Sequence, residues 1–247
     1  MVARTEAARE GLKRANQATA RLLVELAALA QPGVTTRALD NHARAYMQRI
    51  GAEPVFATEK GFPGCINTSL NEQAVHGVPG SRRLKPGDLL KIDAGLRLDG
   101  FCGDSTVTVA IGQISHQHQR LMSTTYEAMM AGIKAALPGK HIGDIGHAMQ
   151  SYAEARGYGV LRDFTGHGLG RRMHESPIVP SVGRPGSGPL IPEGLVITIE
   201  PILTERSPLV TIDADGWTVR TMDGGWAAQF EHTVMVTRQG AVILSAA

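Results

Sequence analysis

A carboxylate-bearing pair of strands occurs twice in this chain, and that doubling restricts the possible folds more than any other feature of the sequence. In the first copy, Leu89 to Ala110 reads LLKIDAGLRLDGFCGDSTVTVA. Two alternating strands flank Asp99-Gly100, a dipeptide suited to a two-residue hairpin loop because it tolerates positive φ. Centring the turn there sets Asp93 opposite Thr106, with Asp104 one diagonal step away. The side-chain period of two then places Asp93, Asp104, Lys91, Thr106 and Thr108 on one face. Leu90, Ile92, Ala94, Val107 and Val109 take the other, the expected core side. Diagonal neighbours lie about 7–8 Å apart at Cα, a gap across which two carboxylates can grip one hard cation or bridge two.

An isolated Asp pair on a hairpin more often serves as a turn, a cap or solvated surface. The second copy argues otherwise. Leu89-Leu90-Lys91-Ile92-Asp93 is matched by Val196-Ile197-Thr198-Ile199-Glu200, each an apolar strand ending in a carboxylate after a Pro/Gly break. Asp104-Ser105-Thr106-Val107 is matched by Glu231-His232-Thr233-Val234, a carboxylate followed two residues on by Thr-Val. The preceding helices echo as well. Pro32-Gly33 leads to Gly51 as Pro138-Gly139 leads to Gly157, and Leu39 and Tyr46 correspond to Ile145 and Tyr152 at a shift of 106 residues. Three echoes in one order imply an internal duplication, with halves of about 1–112 and 113–247 fused into a single domain. Halves related by an approximate twofold axis would bring four carboxylates face to face. Such a cluster is untenable without a cation, so metal binding is expected.

Composition agrees with this picture and excludes others. A hydrophobic content of 43%, with 29 glycines and 13 prolines, suits a loop-rich α/β or α+β globule. A net charge of +2 calls for neither a nucleic-acid nor a membrane partner. Cys65 and Cys102 form no CxxC motif and argue for a reducing compartment. The charged start MVARTEAAREGLKRANQ lacks an apolar signal core and no apolar run reaches 18 residues, so a cytoplasmic location is expected.

Along the chain, Leu12, Ala15, Thr19, Leu22, Leu23, Leu26 and Leu29 predict an amphipathic helix from about Thr5 to Ala30. Thr35 or Thr36 caps a second helix that Gly51 ends. Gly61 to Gly80 is loop-dominated, with a short strand near Cys65–Leu70, and carries His76; alone, a loop histidine is as readily a bystander as a functional group. Ser115 starts a helix to Leu137, and the His116-x-His118 pair is a polar helix start, since i and i+2 do not share a helical face. A further helix covers Ile142 to Gly157. In FTGHGLGRRMHESPI, from Phe164 to Ile178, His167 stands between two glycines and His174 follows seven residues later. The Gly-x-Gly-x-Gly spacing there is a weak phosphate-loop signal; a histidine among carboxylates is better used as a metal ligand. Leu195–Leu203 and Ala228–Thr237 form the second strand pair, joined by a long excursion carrying Trp217.

With these residues assembled, the chain resembles the type I methionine aminopeptidases of the pita-bread fold over nearly its whole length, through NEQAVHGVP, KIDAG, DGFCGDST, TGHGLGRRMHE, TIEP and QFEHT. The resemblance implies an α+β fold of two pseudo-symmetric halves, with an antiparallel sheet covered by helices on one side and the metal site in a central cleft. It implies two divalent ions (Co, Mn, Fe or Zn): Asp104 and Glu231 bridge them, Asp93 completes one site, and His167 and Glu200 complete the other. Glu200 is then the general base, His174 serves the carbonyl and oxyanion, and His76 serves the scissile amide. Phe62, His76, Met173 and Trp217 line the methionine pocket. Glu59, Asn67 and Met173 depart from the residues usual at their positions and bear on pocket shape.

The short Glu200–Glu231 spacing and the absence of a zinc-binding extension match the short bacterial form. The implied substrate is the N-terminus of nascent polypeptides, handled by a monomer with no membrane or direct nucleic-acid role. Arg82, Arg83, Lys85, Arg171 and Arg172 read first as ordinary solvated charges or, for the last two, cleft-rim residues, and a ribosome-facing role is the weaker reading. Two rival readings are an X-Pro-directed aminopeptidase or prolidase, and a pita-bread binding protein without catalysis.

Overall fold

The structure, a computed structural model, describes residues 1–246, with the side chain of Glu59 outside the description. Helix α1 (Glu6–Leu29) begins where the Thr5 hydroxyl accepts the Ala8 N–H, and it buries Leu12, Ala15, Thr19, Leu22, Leu23 and Leu26 along one stripe. Leu29, expected on that stripe, is 42% exposed, because the 3.6-residue period carries the stripe from Leu26 to the buried Ala30. Helix α2 (Thr36–Ile50) is capped by Thr35 and closed by Gly51 at a φ of 70°. Strand β1 (Glu53–Pro54), helix α3 (Val55–Lys60), β2 (Ile66–Leu70) and β3 (Gln73–Val75) lead to the hairpin of β4 (Leu89–Leu98) and β5 (Phe101–Ala110). Helix α3 and strand β3 have no signal in the sequence; six and three residues are too short to show a period.

The hairpin register is the expected one. Asp93 pairs with Thr106 and Gly95 with Asp104, and the turn residues Asp99 and Gly100 have φ of 52° and 75°. Helix α4 (His116–Ala135) starts at the Ser115 cap, with His118 stacked 3.7 Å from Trp226, and α5 (Ile142–Glu154) follows. Then come β6 (Gly159–Val160), β7 (Gly166–Gly168), β8 (Glu175–Val179), β9 (Val196–Ile199), β10 (Ile202–Thr204), β11 (Val210–Ile212), β12 (Val219–Thr221), β13 (Ala227–Gln229), β14 (Glu231–Thr237) and β15 (Gly240–Ile243). The second strand pair is not continuous as expected. It breaks at Glu200-Pro201 and at Phe230, giving β9 on β14 and β10 on β13. Pro201 has no N–H for a ladder, and the two carboxylates sit at the breaks.

Among the described residues the main sheet runs β1–β4–β5–β14–β9–β7–β8, with β2 also on β4 and β15 also on β14. The two carboxylate-bearing strand pairs therefore lie side by side, joined where Glu231 pairs with Thr106. One face of the sheet meets helices. Leu90, Ile92 and Ala94 pack under α1 and α2, while Ile197, Ile199, Val234 and Val236 pack under α4 and α5. Val107 and Val109 join the first cluster only half-buried. Gly103 lets α1 approach so closely that an added Cβ would collide with the Ala15 carbonyl. Two smaller sheets complete the fold: β13–β10–β6, which also packs on α4 and α5 through Val160, Leu203 and Ala228, and β11–β12–β3, and the cleft opens where β3 and β12 approach the hairpin and β13. This is an α+β architecture with helices on one side of an antiparallel sheet and the open site on the other.

Candidate metal centre and substrate cleft

The cleft has a volume of about 400 Å³, and its lining includes Asp93, Asp104, His167, Glu200 and Glu231 together with His76, His174, Phe62 and Trp217. Asp93, Asp104, His167 and Glu231 are strand residues that face the cleft, whereas Phe62, His76, His174 and Trp217 reach it from segments outside the strands. Asp93 and Asp104 come from the hairpin; Glu200 and Glu231 come from the two strand breaks. Carboxylate oxygens of Asp93, Asp104 and Glu231 all lie within 4.8 Å of one another. His167 Nε2 is 3.5 Å from Asp104 Oδ2 and 3.7 Å from Glu200 Oε1. Its other nitrogen, Nδ1, lies 3.0 Å from the Gly168 carbonyl. That contact makes Nδ1 the N–H donor and leaves Nε2 with its lone pair toward the carboxylates.

Hydrogen-bond donors hold three of the four carboxylates in place. Thr198 Oγ1 donates to Glu200 Oε1 at 2.6 Å, Thr106 Oγ1 to Glu231 Oε2 at 2.8 Å, and Asn67 Nδ2 to Asp93 Oδ2 at 2.8 Å. Gln229 Nε2 reaches Glu200 Oε2 at 3.5 Å, but two of the remaining oxygens are not served. Asp104 Oδ1 and Glu231 Oε1 are buried and accept no hydrogen bond. Burial, aggravated by neighbouring carboxylates, pushes Asp104, Glu200 and Glu231 well above the usual carboxylate range, and burial lifts Asp93 to about 7. Buried acceptors without donors and carboxylates that repel one another are costly unless a cation fills the space between them. Four oxygen ligands and one imidazole suit a hard or borderline divalent ion. The residues present fit a metal.

Neutral imidazoles surround this cluster. Burial and the facing His174 lower His167 to about 3, burial and His174 lower His76 to about 4, and burial with Lys60 lowers His174 to about 4. The His167 and His174 rings are 4.2 Å apart. His76, at a φ of 56°, meets Phe164 edge to face at 5.4 Å, and Phe62 meets Trp217 likewise at 5.3 Å. These aromatic edges, with Val75 and Phe56, wall an apolar end of the cleft.

Met173 is the exception among the expected pocket residues. It does not line the cleft; it is 1% exposed and its methyl packs beneath Phe56, over the bare backbone of Gly95. Gly95 lacks the side chain that would have turned Met173 outward, and the two positions are too far apart in sequence for that to be read. Phe56, Val75 and Phe164 also line the cleft without a sequence signal, because each sits in or beside a short element whose direction sequence patterns do not set. Asn67 lines the cleft and holds Asp93, so its amide bears on the metal centre as well as on pocket shape. Lys91, on the face of Asp93, is buried, and burial draws its ammonium down to about 7. No helix is long and apolar enough to cross a membrane among the described residues.

Comparison with known proteins agrees with the geometry. The model of metallopeptidase family M24 matches residues 10–238. A methionine aminopeptidase B from Synechocystis sp. is 45% identical over 244 residues, covering 96% of this chain and 88% of the relative. A solved methionine aminopeptidase from Rickettsia prowazekii superposes with a TM-score of 0.97 at 38% identity, covering 99% of this chain and all of its own. A prolidase from Pyrococcus furiosus, 22% identical with a TM-score of 0.82, shares the fold, and this chain spans 66% of it. The chain adopts the pita-bread fold and belongs to metallopeptidase family M24, in the branch of the methionine aminopeptidases.

Proposed function

We propose that this chain removes N-terminal methionine from polypeptides by metal-dependent hydrolysis. The observation that carries the proposal is the meeting of five ligand-type side chains, two with orphaned buried oxygens, at the floor of a cleft with an apolar end. Asp93, Asp104 and Glu231 would hold one ion, and Asp104, Glu231, His167 and Glu200 a second, with Mn, Fe, Co and Zn all compatible with the donor set. When bound, divalent ions there supply Lewis acidity toward a carbonyl and make water nucleophilic at neutral pH.

The protein's own groups do the rest. Glu200 is oriented by Thr198 at Oε1 and by Gln229 Nε2 at Oε2, whose second lone pair accepts a proton from water and returns it to the departing amine. His174, neutral at pH 7, donates to the developing oxyanion, and His76 hydrogen-bonds the scissile amide. Phe62, Trp217 and His76 enclose the methionine side chain, with Met173 supporting the wall from behind. The two strand pairs descend from one duplicated half, and the chain works as a single domain and as a monomer. Its place of action is the cytoplasm, on nascent chains near the ribosome.

Protein stripped by chelator and reloaded with Mn²⁺ or Co²⁺ provides the test. The expected result is release of Met from Met-Ala-Ser and no release of Xaa from Xaa-Pro peptides. Cleavage of Xaa-Pro alone would indicate a prolidase, and inertness toward both with metal bound would indicate a binding module.

A further inference from the structure

Lys91 lies two residues before Asp93 on the same face of β4, is 1% exposed, and does not reach the cleft. Its Nζ donates to the Asn71 carbonyl at 2.8 Å and to the Ala227 carbonyl at 2.9 Å. Asn71 forms the β2–β3 turn at a φ of 54°, and its side chain is fixed by Asp88 Oδ1 and the Leu89 N–H. Ala227 begins β13, the segment that runs through Gln229 into Glu231. Thr108, opposite Lys91 across the hairpin, supplies the next attachment: its hydroxyl donates to the Gln229 carbonyl at 2.6 Å and accepts the Gln229 N–H at 3.0 Å. The Ala227 N–H donates to the Asn71 carbonyl at 3.1 Å, and no strand ladder joins β13 to the hairpin among the described residues, so the Lys91 and Thr108 side chains lace this pair to β4 and β5. Just beyond the lacing, Gln229 Nε2 reaches Glu200 Oε2 at 3.5 Å and Glu231 settles under Thr106.

We infer that Lys91 is a positioning residue: by holding the Asn71 and Ala227 carbonyls, themselves joined through the Ala227 N–H, to β4 it sets β13 over the hairpin, and so places Gln229 against Glu200 and Glu231 among the carboxylates. Its amine supplies the two N–H donors whether charged or neutral. Methionine at this position would fill the same volume and take one donor from each carbonyl, which leaves the Ala227–Asn71 backbone bond in place but frees β13 and the turn to shift together against β4. The inference rests on the carboxylates holding metal. Groups behind the ligands commonly change metal affinity by about 10- to 100-fold when removed.

The test compares wild type and Lys91→Met, both chelator-stripped, by calorimetric titration with Mn²⁺ and by kinetics on Met-Ala-Ser. The expected result is a folded variant whose Mn²⁺ affinity and kcat each fall by about 10- to 100-fold, with KM within about threefold because Phe62 and Trp217 are untouched. Should Lys91→Met fail to fold, Thr108→Val cuts the neighbouring attachment and is expected to show the same split. In Lys91→Ala, methylammonium should restore part of the Mn²⁺ affinity where tetramethylammonium, which cannot donate, does not. Mn²⁺ affinity within twofold of wild type, or a loss of activity that follows the unfolded fraction alone, would overturn the assignment. Wild type that takes up no Mn²⁺ would overturn it together with the metal reading.

Discussion

Replacing Asp93 by asparagine should stabilise the metal-free protein while abolishing its response to metal. The Asp93 carboxyl is lifted by burial from its ordinary 3.8 to about 7, even though Asn67 donates to it. Keeping that group ionised in the fold at pH 8 would cost about 4 kcal/mol if the whole shift were realised. Asp93 opens partly on the cleft, and solvent there screens the penalty, so about 2 kcal/mol is the appropriate figure. A folded pKa above the unfolded one gives stability that is full below pH 3.8 and is lost as pH rises through about 7. Metal-free wild type and Asp93→Asn should therefore melt together near pH 4 and diverge up to pH 8. For a chain of this size the divergence amounts to about 4–8 °C in favour of the variant. Mn²⁺ at about 100 times its dissociation constant should then stabilise wild type by about 2.7 kcal/mol and leave the variant nearly unmoved. Differential scanning calorimetry over pH 4–8, with and without Mn²⁺, reads both. An asparagine variant that melts lower at pH 8 without metal, or that keeps the full metal shift, would refute the reasoning.

Three further outcomes follow from the same geometry. Glu200→Gln should lower kcat about 10²- to 10⁴-fold while leaving the melting temperature of the metal-free protein unchanged or higher, measured on Met-Ala-Ser; unreduced kcat would remove Glu200 as base. Trp217→Ala deletes the edge-to-face contact with Phe62 and should raise KM by about tenfold, with a much smaller change in kcat, since the wall it forms grips substrate and transition state alike. Gly103→Ala forces a methyl onto the Ala15 carbonyl of α1 and should cost about 2–3 kcal/mol in urea unfolding without altering the metal affinity of the folded fraction.

The parts of this protein legible in its sequence are those fixed by local rules. Asp99-Gly100 set the turn, the turn set the register, and the register put Asp93 and Asp104 on one face. Thr5, Thr35 and Ser115 announced helix starts through their side chains. Repetition of the device carried the rest of the carboxylate cluster. What stayed hidden depends on contacts distant in sequence. Met173 turns inward because Gly95 leaves room for it, and Lys91 is buried because Asn71 and Ala227 present carbonyls to its amine. The same limit applies to Phe56 and Val75, carried by a six-residue helix and a three-residue strand. A lysine on a strand face reads as solvated surface until the chain that covers it is known.

The central claim is that carboxylates from both strand pairs share divalent ions. Crystals grown with Co²⁺ and measured at the cobalt absorption edge test it most directly. The account predicts an anomalous peak enclosed by Asp93, Asp104 and Glu231, and at full occupancy a second one against His167 and Glu200. A map with no peak at these five side chains, under conditions where the crystallised protein hydrolyses Met-Ala-Ser, would contradict it.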